Sequence, residues 1–320
     1  METLTLLTEF AKETLEGLAA SPKYLSSKYF YDTNGSRIFQ DIMQMPEYYL
    51  TDCELEIFET EKQRIFEALT ENSTQYNLIE LGAGDGLKTK VLLSHFHDQN
   101  VFFEYTPIDI SEDAVKNLVL NLKQEVPGIK INGKVGDYFR LIEEINQYDH
   151  TKKILLFLGS NIGNYNENET LSFLNKLKSV MHSGDLLFIG FDLKKDPEII
   201  LKAYNDPHGH TAAFNLNLLH RINNELNANF ILHKFRHQEV YNPQSGTAKS
   251  MLISLEKQEV EIHDLSISIS FEKGESIFME MSQKYDMEMI MELADKSSFE
   301  IVRNFYDKRQ YFVNSLWKLK

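Results

Sequence analysis

The stretch Asn77-Leu-Ile-Glu-Leu-Gly-Ala-Gly-Asp-Gly-Leu-Lys-Thr-Lys90 decides the fold. Its first half predicts a short buried strand at Leu78–Leu81, and its second half predicts the start of a helix. Between them lie three glycines, Gly82, Gly84 and Gly86, which allow the backbone to approach a ligand where a Cβ atom would collide. Amides at the N-terminus of the following helix carry partial positive charge. We therefore predict that this turn binds a nucleotide-like ligand.

The composition limits the possible classes of partner. The chain has 320 residues, of which 42% are hydrophobic, and a formal net charge of −15. Such an excess of negative charge argues against binding to nucleic acid or to an anionic membrane. No stretch approaches the roughly 20 apolar residues of a membrane span. The single cysteine excludes an internal disulfide framework. We expect a cytoplasmic monomer with neither a nucleic acid nor a membrane as partner.

Strands and helices alternate through the middle of the chain. Apolar runs predict strands at residues 78–81, 102–108, 129–135, 154–158 and 184–193. Buried strands alternating with helices are typical of a parallel sheet covered on both faces, which binds ligands beyond the carboxyl ends of its strands. Two further strands, 299–305 and 311–319, predict a final hairpin that joins this sheet. The fold class is therefore α/β.

The segments outside this alternation predict a second lobe. Helices are expected over 1–22, over 197–205 and over 211–226. A further helix is expected from Thr51, where Thr51-Asp-Cys-Glu54 resembles a capping box. Antiparallel strands are expected at 230–241, 248–255, 265–271 and 276–282, and the strict alternation of 265–271 marks a half-buried strand. We predict one domain from 55–195 plus 283–320, and an α+β lobe from 1–54 plus 196–282.

Acidic residues follow three successive predicted strands. Glu80 precedes the glycine turn and suits the ammonium of a methionine moiety, Asp109 could accept hydrogen bonds from ribose hydroxyls, and Gly136-Asp137 could meet an adenine amino group. Asp109 and Asp137 could equally be ordinary helix N-caps. The G-x-G-x-x-G spacing of dinucleotide enzymes is absent. With the terminal hairpin, the pattern favours a Rossmann-like class I S-adenosylmethionine-dependent methyltransferase over a dehydrogenase.

Longer motifs carry a more specific resemblance. The motifs are Tyr29-Phe-Tyr-Asp-Thr-Asn-Gly-Ser36, Pro46-Glu-Tyr-Tyr49, Glu80-Leu-Gly-Ala-Gly84, Phe157-Leu-Gly-Ser-Asn-Ile-Gly-Asn164, Asp192-Leu-Lys-Lys-Asp196, Ala203-Tyr-Asn-Asp206, Gly209-His-Thr-Ala-Ala-Phe-Asn215 and Glu280-Met-Ser-Gln-Lys284. With them the sequence resembles the histidine-specific Nα-methyltransferases of ergothioneine biosynthesis over nearly its whole length. The resemblance implies S-adenosylmethionine-dependent trimethylation of the α-amine of L-histidine to the betaine hercynine. It implies a methyltransferase domain at 55–195 plus 283–320 and a substrate-binding lobe at 1–54 plus 196–282.

The resemblance also implies roles for individual residues. The cofactor-binding candidates, by contrast, follow from the glycine turn and the strand ends, and they are Glu80, Gly82, Gly84, Lys88, Asp109, Gly136 and Asp137. Glu280 and Ser282 would hold the imidazole, while Asn164 and Tyr204 would hold the carboxylate and the amine. Tyr48 would line the same pocket, Tyr31 would lie near the amine, and Met251 would be an apolar wall residue or plain core. Glu280 and Ser282 share one face of a predicted strand, which fits a pocket wall and also fits a solvent-exposed face.

The chemistry of methyl transfer agrees with these assignments. The amine must be neutral to attack, and a buried pocket beside a sulfonium lowers its pKa. Tyr31, Tyr204 or a water could accept its proton, and the uncharged Asn164 suits fixing a carboxylate. The candidate catalytic residues are therefore Tyr31, Asn164 and Tyr204. The aromatic faces of Tyr31, Phe39 and Tyr48 could favour the growing cation.

Competing readings remain for the function. One is a methyltransferase of the same fold that acts on another amine, such as a tryptophan-derived metabolite. Another is a non-catalytic S-adenosylmethionine-binding regulator, against which the intact motifs argue. Ten histidines occur in the chain, but none lies in a motif with obvious further ligands, so we predict no metal site.

Overall fold

A computed structural model describes residues 7–71, 75–99, 101–148 and 151–320. The first six residues of the predicted helix 1–22 lie outside these ranges. The described α-helices are α1 (Glu9–Ala19), α2 (Thr33–Met43), α3 (Tyr49–Thr70), α4 (Thr89–Asp98), α5 (Glu112–Glu125), α6 (Tyr138–Tyr148), α7 (Glu167–Val180), α8 (Pro197–Tyr204), α9 (His210–Glu225) and α10 (Met287–Lys296).

The described strands follow the same chain order. They are β1 (Lys23–Tyr24), β2 (Gln75–Leu81), β3 (Phe102–Asp109), β4 (Lys130–Ile131), β5 (Lys134–Val135), β6 (Lys153–Phe157), β7 (Leu186–Asp192), β8 (Phe235–Asn242), β9 (Thr247–Ser254), β10 (Gln258–Ile262), β11 (Ile267–Phe271), β12 (Ser276–Gln283), β13 (Phe299–Tyr306) and β14 (Phe312–Leu319). No helix within the described ranges is long and apolar enough to cross a membrane.

The chain forms two compact units. The first unit comprises Met1–Tyr49 and Lys195–Ser282, and the second comprises Leu50–Lys194 and Gln283–Lys320. The first boundary lies five residues before the predicted 54/55, because α3 begins at Tyr49 and carries the chain directly into the second unit.

The second unit is built on an eight-stranded sheet. Its order is β13-β14-β7-β6-β2-β3-β4, with β5 also paired to β3. Strand β14 runs antiparallel to β13 and β7, and the other pairs are parallel. Every residue of β6 and β7 is buried, as expected for central strands covered on both faces. The predicted α/β fold with a terminal hairpin is confirmed.

The single strand predicted at residues 129–135 is wrong, because the structure divides it into two. Residues 129–135 form two short strands, β4 and β5, which pair with different parts of β3. Between them the amide of Asn132 donates to the carbonyl of Tyr105 at 2.9 Å. A Cβ atom on Gly133 would lie 2.6 Å from Val115, so this segment is crowded against α5. Packing against the helix therefore interrupts the strand.

The first unit has a four-stranded sheet in the order β1-β12-β9-β8 and a separate hairpin of β10 and β11. The predicted strand 230–241 begins only at Phe235, after a 3₁₀ turn at Leu232–Lys234. The predicted strand 265–271 begins at Ile267, because Ser266 has a left-handed φ of 54°. Its partner β10 was missed by the sequence interpretation. Buried residues from helices and sheet form one core, including Phe214, Leu252, Ile277 and Met279.

Candidate active site

The glycine turn lies at the carboxyl end of β2. Gly82 and Gly84 have φ values of +71° and +55°, which side-chain-bearing residues rarely adopt. The amide of Gly82 donates to the carbonyl of Ile108 at 2.8 Å, which ties the turn to β3. A Cβ atom added at Gly84 would meet nothing within 4 Å, so there is open space beside the turn. Gly86 has a different role, because its Cβ would lie 2.2 Å from Leu118 of α5.

Asp109, the last residue of β3, contacts this turn directly. One carboxylate oxygen accepts from the amide of Gly84 at 3.3 Å, and the other accepts from the amide of Ser111 at 3.0 Å. Asp137 instead accepts from the amide of Arg140 at 3.0 Å, within the first turn of α6. The hydrogen bond of Asp137 is therefore that of a residue at the start of a helix, whereas Asp109 contacts the glycine turn itself. Gly136, with a φ of +140°, precedes Asp137.

Glu80 is buried and already hydrogen-bonded. The hydroxyl of Thr89 donates to one carboxylate oxygen at 2.8 Å, and the hydroxyl of Tyr105 donates to the other. Burial raises the pKa of Glu80 to about 7 against these hydrogen bonds, which lower it. Its two oxygens thus link β2, β3 and α4. An ionised carboxylate has about four lone pairs, so it retains capacity for a ligand's ammonium.

A second buried carboxylate was missed in the sequence. The predicted capping box at Thr51–Glu54 is wrong, because α3 already begins at Tyr49 and Glu54 points inward. Its side chain accepts from Lys88 Nζ at 2.5 Å, from the amide of Gly159 at 2.9 Å and from Asn314 Nδ2 at 2.8 Å. This network fixes the amine of Lys88 just after the glycine turn. A carboxylate in the second turn of a highly charged helix gives no sequence signal for such a role.

The segment after β6 carries Asn164. It turns sharply at Ser160, whose φ is 58° and whose hydroxyl accepts from the amide of Asp192 at 3.0 Å. Residues Asn161–Asn164 form a 3₁₀ turn, and a Cβ on Gly163 would lie 2.8 Å from the carbonyl of Gln283. Asn164 itself is exposed at the end of this turn.

In the first unit, the predicted aromatic residues form a chain of rings. The ring centroids are 5.5 Å apart for Tyr31 and Phe39, 6.1 Å for Phe39 and Tyr48, and 6.2 Å for Tyr48 and Tyr204, and all three pairs meet edge to face. Phe214 of α9 contacts both Tyr31 and Phe39. The structure therefore brings together side chains from two distant segments of sequence, 31–48 and 204–214.

Ser282 joins this chain of rings at its far end. Its hydroxyl and that of Tyr204 lie 3.0 Å apart, within hydrogen-bond distance. Glu280, half buried, lies two residues earlier on β12, while Met279 of the same strand is buried in the core. Met251 lies half buried on β9, the strand beside β12. The roles of Glu280 and Met251 stay predictions.

In the described part of the chain, no group of three or more His, Cys, Asp or Glu side chains is arranged to hold a metal ion. His237 shows how a histidine can be structural instead. Its side chain is buried on β8, and burial lowers its pKa to about 4, so it is neutral at physiological pH.

Comparison with known proteins gives consistent results. A family model described as "Histidine-specific methyltransferase, SAM-dependent" matches residues 10–319. A histidine N-alpha-methyltransferase of Mycobacterium tuberculosis is 34% identical over 95% of this chain and 93% of its own. Ergothioneine biosynthesis protein 1 of Schizosaccharomyces pombe is 29% identical over 81% of this chain and 34% of its own. An L-tryptophan methyltransferase of Psilocybe serbica is 28% identical over 86% of this chain and 83% of its own.

Proposed function

This chain belongs to the family of histidine-specific, S-adenosylmethionine-dependent methyltransferases, and on that premise we propose that it trimethylates the α-amine of L-histidine to hercynine, a step of ergothioneine biosynthesis. It is an N-methyltransferase with S-adenosylmethionine as the methyl donor. The cofactor supplies a methyl group that its sulfonium has already activated. The protein's tasks are therefore to bind, to orient and to exclude water.

The second unit has features that suit the cofactor. The open space beside Gly84 and the carboxylate of Asp109 at the same turn fit a nucleoside whose ribose needs hydrogen-bond acceptors. We assign Glu80 to the ammonium of the methionine moiety, since a buried carboxylate is a strong partner for a cation. Gly82 and Lys88 flank the same turn. Gly136 and Asp137 follow β5, where an adenine amino group could be recognised.

The first unit has features that suit histidine. We assign the imidazole to Glu280 and Ser282, one carboxylate and one hydroxyl for the two ring nitrogens. The 3.0 Å contact between Ser282 and Tyr204 is the observation that carries this assignment, because it connects the specificity residues to the chain of rings. A substrate without an imidazole would not form these two hydrogen bonds, and a site built to bind a substrate N–H can reject an analogue that lacks it by a factor of about 10⁴–10⁵.

The chain of rings suits an amine that becomes a quaternary cation. Aromatic faces attract cations, and quaternary ammonium groups bind to cages of such rings. We assign Tyr31, Phe39 and Tyr48 to this role, with Tyr31 or Tyr204 available to accept the proton of the amine. Asn164 is our candidate ligand for the carboxylate, since an uncharged amide donates a hydrogen bond without competing for protons.

Mass spectrometry of products tests the proposal. The protein is incubated with S-adenosylmethionine and each common amino acid separately, and mass gains of one, two and three methyl groups are recorded. We expect trimethylated histidine as the main product. Methylated tryptophan without methylated histidine would replace the proposal with its main competitor, for which the relative from Psilocybe serbica is the specific support. Binding of S-adenosylhomocysteine without turnover of any amine would contradict both.

We further propose that the enzyme acts as a cytoplasmic monomer. The net charge of −15 supports the absence of a nucleic-acid partner, since nucleic-acid-binding surfaces are basic.

A further inference from the structure

Helix α9 holds the segment around Tyr31 from one face. Phe214, Asn217 and Arg221 are three and four residues apart, so they project from the same side of the helix. Phe214 packs against the ring of Tyr31 with centroids 5.5 Å apart. Arg221 donates to the carbonyl of Tyr29 at 2.9 Å. Between these two contacts lies Asn217, which bonds to the residues that follow Tyr31.

Asn217 is buried, and both ends of its amide are used. Its Nδ2 donates to Asp32 Oδ1 at 2.8 Å, and its Oδ1 accepts from Asn34 Nδ2 at 2.6 Å. The same oxygen of Asp32 accepts from the amide of Gly35 at 2.6 Å and so caps α2. Asn217 therefore fixes the N-terminus of α2 through one short path of hydrogen bonds.

The position of Tyr31 depends on this path. Tyr31 immediately precedes the cap residue Asp32, and its ring also contacts Phe39 of α2. A Cβ atom on Gly35 would lie 1.8 Å from the carbonyl of Phe30, so the first turn of α2 is packed tightly on the backbone just before Tyr31. A shift of this turn would therefore move Tyr31 and Phe39 together.

We propose that Asn217 is a positioning residue for the amine of the substrate: it fixes Asp32 and thereby places Tyr31. This inference rests on the proposed function, in which Tyr31 lies beside that amine. Each of the first two methyl transfers, with loss of a proton, replaces one N–H of the neutral amine, so the neutral dimethylated intermediate has no N–H left to orient it by hydrogen bonding. Contacts with the surrounding rings then decide its orientation, and the third transfer is the step most sensitive to misplaced rings.

Variants of the Asn217–Asp32 pair provide the test. Asn217→Asp places a second carboxylate against Asp32, and the added change Asp32→Asn removes that repulsion and returns a donor to the pair. We expect Asn217→Asp to slow conversion of dimethylhistidine about 10-fold or more, because misplacement by about 1 Å can cost 10²-fold. The double variant should regain most of this rate. Affinity for S-adenosylhomocysteine should be unchanged in both.

Asn223 of the same helix provides the matched control. Its amide donates to the carbonyl of Phe230 at 2.8 Å and accepts from the amide of Phe230 at 2.8 Å. Asn223→Asp makes the same chemical change at the end of α9 remote from Tyr31. We expect it to lower stability without changing the ratio of mono-, di- and trimethylated products.

Hydrogen exchange separates this inference from the proposed function. The amide of Gly35 should exchange faster in Asn217→Asp than in the wild type or in Asn223→Asp, whatever the substrate is. Unchanged exchange at Gly35 would overturn the inference. A wild-type product ratio in Asn217→Asp, the same product shift in Asn223→Asp, or no recovery in the double variant would overturn it too. A wild-type enzyme that does not methylate histidine would instead refute the proposed function.

Discussion

At the scale of single residues, the informative side chains are polar groups that are buried or half buried. Glu80 and Glu54 are each held by several protein donors, and each connects elements that are distant in sequence. The sequence predicted a role for Glu80 because it precedes a glycine turn. For Glu54 it predicted only a place in a capping box, because one carboxylate in a helix that bears many other charges looks like a solvated residue.

Glu280→Ala should weaken histidine binding with little effect on the cofactor. A hydrogen bond to a charged group contributes about 1.5–3 kcal/mol, so we expect a 10- to 100-fold loss of affinity. Calorimetric titration of histidine in the presence of S-adenosylhomocysteine measures this loss of affinity. Glu259→Ala is the control, because it removes an exposed glutamate of β10 that accepts a hydrogen bond from the Ser268 hydroxyl within its own hairpin. Equal histidine affinity in Glu280→Ala and wild type would refute the imidazole assignment.

Glu80 should make the stability depend on pH. Its pKa is raised to about 7 in the folded protein from a usual value near 4.5. Between these pH values the folded protein keeps a proton that the unfolded chain releases, so the stabilisation present below pH 4.5 is lost as pH rises to about 7. The shift corresponds to about 3 kcal/mol. Urea unfolding at pH 5 and pH 8 measures this loss, and the free energy of unfolding should decrease less between the two pH values in Glu80→Gln than in the wild type. Identical decreases in the two proteins would contradict the raised pKa of Glu80.

At the scale of elements, β7 is held at both ends by buried ion pairs. Asp185 directly precedes the strand and pairs with Lys153 at 3.0 Å, and Asp192 ends the strand and pairs with Lys284 at 2.8 Å. All four side chains are almost fully buried. The sequence predicted the strand itself from its apolar run, but the lysines that pair with its ends lie 32 and 92 residues away. Such pairs cannot be inferred from local pattern.

Loss of either lysine should destabilise the enzyme strongly. Lys153→Met or Lys284→Met leaves an aspartate charge buried without its partner, which typically costs about 3–5 kcal/mol. Lys257→Met removes a shorter, 2.6 Å, but exposed pair with Glu272, and it should change the free energy of unfolding by less than about 1 kcal/mol. Urea unfolding measures the change in the free energy of unfolding for each of the three variants relative to the wild type. Similar small changes in all three would mean that the buried pairs contribute little.

At the scale of the whole molecule, the same chain passes between two compact units three times. Residues 50–194 and 283–320 form the sheet with the glycine turn, and the flanking and inserted segments form the unit with the chain of rings. The unit with the large sheet was predicted well, because each strand and helix around a parallel sheet is visible as a local period of apolar residues. The unit with the chain of rings was less predictable: β10 was missed and two strand starts were misplaced. Left-handed turns and short hairpins depend on single residues such as Ser266.

By itself the sequence determined the fold class, the family and the cofactor, because these depend on local periodicity and on motifs of a few consecutive residues. Only the tertiary structure decided which side chains meet. It showed that Tyr31, Phe39, Tyr48 and Tyr204 form one chain of rings joined to Ser282, and that Asn217 donates a hydrogen bond to Asp32, the residue after Tyr31. The physical reason is that these contacts join residues up to 185 positions apart, between Asp32 and Asn217. Their proximity results from packing of the entire core, which no local stretch encodes.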